Sequence, residues 1–198
     1  MSAAFTSFAP VVASGPDAPA PAGADRIAQA WAVLHTVLDP EVPALSLCDL
    51  GIVRDVRADP VDGALEVVLT PTYSGCPATE IIAADTVAAL DAAGLGPTRT
   101  TLQRAPAWSS DWISADGLTK LLAYGIAPPG PVDARLGVPI RLPNGQMRRP
   151  ARPLPTPVPC PRCASTQTEV LAAFGATACK ALYRCLSCRE PFEHFKPI

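Results

Sequence analysis

Two short motifs near the C-terminus, Cys160-Pro161-Arg162-Cys163 and Cys185-Leu186-Ser187-Cys188, constrain this chain more than any other feature. Each CxxC closes a tight turn that presents two sulfurs to one ion. Two such turns build a tetrahedral four-thiolate site, which suits zinc. Residues 164–184 separate the pairs, a gap barely past the usual window for this pattern. Strand-like runs over 168–174, 181–184 and 190–195 surround the knuckles, so residues 158–198 read as a zinc ribbon. The same four sulfurs would also accept iron. A closed four-cysteine site leaves no open coordination position, so its role is structural. A module of about 40 residues has too little core to fold alone, and metal should fold it. Cys179 lies outside both knuckles and reads as a free structural cysteine; His194 reads as exposed.

The ribbon follows a segment that cannot form regular structure. Ten of the chain's 24 prolines fall within 127–159, among five arginines. Proline lacks the N–H that a helix or central strand needs, so residues 127–157 read as an extended linker. Charge divides at the same place. Residues 1–126 carry 6 Lys/Arg and 14 Asp/Glu, whereas 127–198 carry 10 and 4. A basic tail on an acidic body is fitted to meet an acidic surface, and Arg148 and Arg149 are candidate contacts. The competing reading is a simple spacer.

Residues 1–24, rich in Ala, Pro, Ser and Gly, read as a disordered tail. Residues 25–126 read as a small α+β domain in the order helix, strand, strand, helix, strand, helix. Asp25 is a plausible N-cap, with Ile27, Trp31, Leu34 and Leu38 along one helix face. The prolines and acids of Asp39-Pro40-Glu41-Val42-Pro43 stop that helix, and the acids read as solvated. Strands follow over 52–56 and 64–69 around an Asp62-Gly63 turn. Cys48 reads as a core filler. The domain centres on 70–80, Thr-Pro-Thr-Tyr-Ser-Gly-Cys-Pro-Ala-Thr-Glu, between the second strand and a helix over 78–93. Pro77 fits the first helical position, which puts Cys76 at or beside the N-cap. The N–H groups there favour a thiolate, so Cys76 is a candidate ligand or nucleophile with a depressed pKa. The competing reading is a buried, space-filling thiol. A polar third strand covers 99–104, and Ser109-Ser110-Asp111 should cap a last helix ending at Gly125. Trp108 and Trp112 read as packing anchors or as a recognition surface.

Several function classes are excluded by pattern. There is no Gly-rich phosphate loop, no Ser–His–Asp set, no HExxH, no carboxylate-rich di-iron helix pattern and no flavin or nicotinamide fingerprint. No apolar run approaches the ~20 residues of a membrane span. No Lys or Arg precedes Arg26, so no secretory leader is expected. Seven cysteines, four of them in CxxC pairs, point to metal ligands in a reducing cytoplasm.

Asp39-Pro40-Glu41-Val42-Pro43, Asp49-Leu50-Gly51-Ile52-Val53, the stretch from Thr70 to Pro77 with its Gly-Cys-Pro, and the Trp108 segment resemble the iron–sulfur cluster assembly family that includes SufT-like proteins. Pro-Ala-Trp-Ser-Ser-Asp-Trp-Ile and the ribbon that follows narrow the resemblance to the PaaD-like proteins of the phenylacetyl-CoA epoxidase system. The resemblance implies a non-catalytic accessory factor that helps mature or deliver an iron–sulfur cluster to the reductase component; a small structural or catalytic subunit of the oxygenase is the alternative. It implies that Cys76 contacts a transient cluster, with Asp39, Glu41 and Asp49 along the same edge. One cysteine does not hold a cluster, so a client's cysteine, a small thiol or a dimer mate would supply the rest. Cys179 is a second candidate contact. The implied partners are the reductase, the oxygenase complex and the assembly machinery, with no membrane. A nucleic-acid partner would need an aromatic-studded basic surface that the sequence lacks.

Overall fold

In a computed structural model, residues 23–130, 140–141, 147–148 and 157–198 are described. The expected tail lies outside them, except that Gly23 already opens the first helix. That helix, α1 (Gly23–Leu34), therefore starts ahead of Asp25, which sits in its first turn rather than at its cap. It buries Ala30 and Leu34. Leu38 falls beyond its end and is exposed, although it matched the apolar spacing.

Strands β1 (Val53–Ala58) and β2 (Leu65–Leu69) form an antiparallel hairpin through the Asp62-Gly63 turn. Gly63 has φ +70°, which the turn requires. Helix α2 (Thr79–Ala92) then carries the chain over to β3 (Thr98–Leu102), which pairs parallel to β2. The sheet order is β1-β2-β3. Neighbouring Val67 and Val68 point to opposite faces of the central strand, and both are buried, so both faces are covered. Helix α2 buries Ile82, Thr86 and Leu90, one face at i, i+4 and i+8.

The Trp segment breaks into two pieces where one helix was expected. Ser109 caps a single 3-10 turn, Ser110–Trp112. Ser114 then caps α3 (Ala115–Tyr124), and Gly125, at φ +93°, closes it. Gly51 lets this segment approach. Its φ is +66°, and a Cβ there would stand 2.7 Å from the Trp112 carbonyl oxygen.

The chain continues into β4 (Ile126–Ala127), then a two-residue pairing of β5 (Ile140–Arg141) with β6 (Met147–Arg148) inside the expected linker. The ribbon consists of β7 (Thr168–Ala172), β8 (Lys180–Cys185) and β9 (Pro191–Phe195). Its sheet has the order β4-β9-β8-β7. The sequence put residue 126 in the first domain and 127 in the linker; both instead pair with β9 as a fourth ribbon strand. The ribbon also shares the main core, which takes in Cys179 and Phe195. A second, smaller cluster gathers Ala127, Cys160, Cys185 and Phe192 around the knuckles. The ribbon thus gains apolar burial from its neighbour as well as from metal.

Candidate functional site

Cys76 sits where β2 hands over to α2. Thr70 N–H donates to the Ile52 carbonyl at 2.9 Å, and the chain then leaves the sheet. Gly75, at φ +87°, reverses it. The Thr79 hydroxyl donates to the Cys76 carbonyl at 2.8 Å. The helix begins at Thr79 with Ala78 as its N-cap, so Cys76 stands two residues ahead of the cap rather than at or beside it. Pro77 and Ala78 form a turn there. Cys76 is 8 % exposed, so it is not an exposed thiol. Nor is its pKa depressed: burial pushes the thiol up, outweighing the Ala78 N–H and the Tyr73 and Thr79 hydroxyls, while the Glu41 charge adds to the rise.

The site has two sides. Outward, a groove of about 960 Å³ runs past Tyr73, Cys76, Glu80, Arg104, Trp108 and Ile198. Inward, a cavity of about 10 Å³ is lined by Asp39, Glu41, Thr72, Cys76, Cys179 and Phe195, among others. The acids are not solvated as the sequence implied. Asp39 is 6 % exposed, and its Oδ1 accepts the N–H groups of Glu41 at 2.9 Å and Val42 at 2.8 Å. Burial raises its pKa despite those bonds and the Lys180 charge. Burial, then the Asp39 charge, raises Glu41 as well. Cys179 enters from the ribbon, with its thiol 3.0 Å from the Thr177 hydroxyl, and burial pushes its pKa up. Burial likewise takes the Tyr73 phenol to about 12.

One expected member stands elsewhere. Asp49 does not line either space. Its Oδ2 accepts from Lys120 Nζ at 2.6 Å and Ser46 N–H at 3.0 Å, and Ser114 Oγ lies 3.3 Å from Oδ1. Burial opposes its charge, but Lys120 and Ser46 outweigh it and hold the carboxyl below its ordinary value. Asp49 therefore ties α3 to the loop before β1. Trp108 is 4 % exposed and gives its indole N–H to the Leu50 carbonyl at 2.9 Å, so it offers a partner only a sliver of surface. Trp112 is half-buried under the Arg54 guanidinium, 3.6 Å from its ring centroid. Arg149 and the Arg148 side chain lie outside the described residues. His194 is buried, not exposed.

The knuckle sulfurs of Cys160, Cys163, Cys185 and Cys188 all lie within 4.8 Å of one another. Cys160 and Cys188 are 3.7 Å apart, Cys163 and Cys185 3.6 Å. A tetrahedral zinc with bonds of about 2.3 Å has sulfur–sulfur edges of about 3.8 Å. The four sulfurs fit zinc. The N–H groups of Cys188 and Ser187 draw the Cys185 thiol down while the neighbouring knuckle sulfurs hold Cys188 up, so a metal must displace protons from this cluster as it binds.

Two family matches divide the chain along these lines. Residues 27–101 match the family described as iron-sulfur cluster assembly protein, and residues 147–196 match the PaaD zinc beta ribbon domain. A curated relative from Escherichia coli (strain K12), described as a putative subunit of 1,2-phenylacetyl-CoA epoxidase, is 42% identical over 173 residues, spanning 87% of this chain and 94% of the relative. An "Fe-S protein maturation auxiliary factor" from Porphyromonas gingivalis is 31% identical over 90 residues, spanning 45% of this chain and 84% of that protein. A solved domain of unknown function from Bacillus anthracis has 26% identity and a TM-score of 0.46, covering 50% of this chain and 93% of that one.

Fold and site define an α+β iron–sulfur assembly-type domain joined to a zinc β-ribbon. The chain belongs to the PaaD family.

Proposed function

We propose that this protein is an accessory factor of the phenylacetyl-CoA epoxidase system of phenylacetate catabolism, and that it assists assembly or delivery of the iron–sulfur cluster of the reductase component. The observation that carries the reading is the place of Cys76. In a chain 42% identical to a protein described as a putative subunit of that epoxidase, it borders a groove of about 960 Å³. A client loop or a cluster can enter a space of that size. Cys76 supplies one sulfur, and a client cysteine, a small thiol or a second copy of the chain supplies the others. No helix among the described residues is long and apolar enough to cross a membrane, and the reading places the protein in the cytoplasm with its clients.

The division of labour follows the domains read from the sequence. The unit over 25–126 carries the working thiol, and the ribbon over 158–198 docks the client with help from Trp112, Arg148 and Arg149. The four-cysteine zinc holds the ribbon in shape and takes no part in chemistry.

The test is the cluster content of the reductase. It is purified anaerobically from cells carrying the wild-type chain, no chain, or Cys76→Ser, and iron and acid-labile sulfide are measured per flavin. A marked deficit is expected in the last two. A fully loaded reductase from the Cys76→Ser cells overturns it.

A further inference from the structure

Helix α2 joins two parallel neighbours, β2 and β3, so the carboxyl ends of both strands open on the side of the loop over 70–76. Leu102 pairs with Leu69, one residue before that loop. The sheet order is β1-β2-β3, so β3 is an edge, and no strand among the described residues pairs with its other side. Gln103 N–H donates inward to the Leu69 carbonyl at 2.8 Å. Alternate residues of a parallel ladder turn their N–H and C=O groups to opposite sides, so Leu102 and Arg104 present theirs to the open edge. Their side chains, two residues apart on one face, both line the outer groove, and Leu102 is 46 % exposed. Ile198 adds a second exposed apolar wall, fixed by its N–H bond to the Ser110 hydroxyl at 3.2 Å. Charge marks the same place. Residues 1–126 hold six Lys/Arg. Arg26, Arg54, Arg57, Arg99 and Lys120 are committed to carbonyls, to the Trp112 ring or to carboxylates. Arg104 has no partner among the described residues and makes no ion pair with Glu80, the acid on the same groove.

We propose that the free edge of β3 docks an extended segment of a client protein as a fourth strand, with an apolar client residue against Leu102 and an acidic one, two positions away, against Arg104. Main-chain bonds to an open edge call for a main-chain partner and supply the affinity. The two cross-strand side-chain pairs supply the selectivity. Charge decides the occupant. The stretch from Thr98 to Arg104, Thr-Arg-Thr-Thr-Leu-Gln-Arg, holds two arginines and no acid. A second copy pairing through its own β3 would bring like charge to Arg104, whereas a client strand with Asp or Glu there neutralises it. A segment held on this edge runs into the groove that Cys76 borders. The inference rests on the proposed function in taking the occupant to be a client, and it deepens that reading by naming the chemistry by which the client is recognised.

The probe is the cluster-free reductase, titrated anaerobically against the full, zinc-replete chain. Arg104→Glu, at an exposed and uncommitted side chain, should weaken binding about tenfold or more with zinc content unchanged. Leu102→Pro removes an outward N–H and leaves the ladder to β2 intact, so it should weaken binding as well, while Leu102→Val binds as wild type. Hydrogen exchange needs no variant: the Leu102 and Arg104 amides should exchange more slowly in the complex than in the free chain. Binding of Arg104→Glu equal to wild type overturns the proposal, as does protection confined to the ribbon or a wild-type chain that does not bind the reductase. Amides of the β3 edge that are protected in the free chain and lose protection on dilution would identify a second copy as the occupant, and also overturn it. The two readings fail separately. Arg104-dependent binding with a fully loaded reductase from Cys76→Ser cells sinks the delivery role alone; a deficient reductase from those cells that binds wild type and Arg104→Glu equally sinks this proposal alone.

Discussion

The ring of Phe195, in the last ribbon strand, packs 5.9 Å from that of Trp108, in the segment before α3. Phe195 is 1 % exposed, and the Ser110 N–H donates to the Ile198 carbonyl at 3.0 Å just beyond it. The ribbon is therefore built into the core of the assembly domain rather than tethered to it. Phe195→Ala should cost about 3–5 kcal/mol. Denaturant unfolding followed by tryptophan fluorescence checks this, and a loss confined to the ribbon would show as an unshifted Trp108 transition.

Docking of the ribbon also closes the inner cavity, since Cys179 and Phe195 form part of its wall. Cys185→Ser should reduce zinc from one per chain to none and unfold the ribbon. Cys76 should then react with iodoacetamide on the order of tenfold faster or more, because the thiol's protection comes from local packing. Mass spectrometry of the Cys76 peptide over time reads the rate.

Asp39 and Asp49 should respond in opposite directions when neutralised. Asp39 has a raised pKa, so its contribution to stability is present below its unfolded value and lost as pH rises through the folded one. Asp39→Asn keeps the oxygen that accepts two N–H groups and removes a buried charge, so it should leave stability at pH 7 equal or higher. Asp49 has a lowered pKa, so its contribution is present above the unfolded value and lost as pH falls through the folded one. Asp49→Asn should lose about 1.5–3 kcal/mol at pH 7, the worth of a charged hydrogen bond. Urea midpoints at pH 7 compare the two.

His194 gives the fold an acid limit. Burial, then the Lys196 charge, takes its pKa down to about 4, against an opposing hydrogen bond to the Pro128 carbonyl. The unfolded chain binds this proton near 6.5 and the folded chain near 4, so stability should fall as pH drops through that window. The loss should be about 1–3 kcal/mol after allowance for solvent screening. His194→Gln should flatten stability against pH between 6.5 and 4 relative to wild type.

Local signals were legible, and long-range ones were not. The strand before Thr70, the Asp62-Gly63 turn, Gly125 as a helix end and the two CxxC knuckles each record their structure within a few residues, and these elements formed as read. Cys179 carries no such record. Its neighbours give the pattern of a ribbon loop, and only the docking of β8 and β9 against the domain brings it beside Cys76. His194 was misjudged for the same reason, since Ala127 pairs with it from a strand far away in the chain. The start of the last helix slipped because capping depends on which hydroxyl the folded turn presents: Ser109 caps only the 3-10 turn, and Ser114 caps α3. Asp39 looked like a solvated helix stop because sequence reveals the turn it caps and not the wall the ribbon builds over it.

Reconstitution of phenylacetyl-CoA epoxidation from purified components decides whether this chain serves the epoxidase without taking part in turnover. The reductase is first loaded with its full cluster. Turnover should then be the same with and without this protein, and only a cluster-free reductase should need it. A fully loaded reductase that still requires this chain in stoichiometric amount would contradict the account and make it a working subunit of the oxygenase.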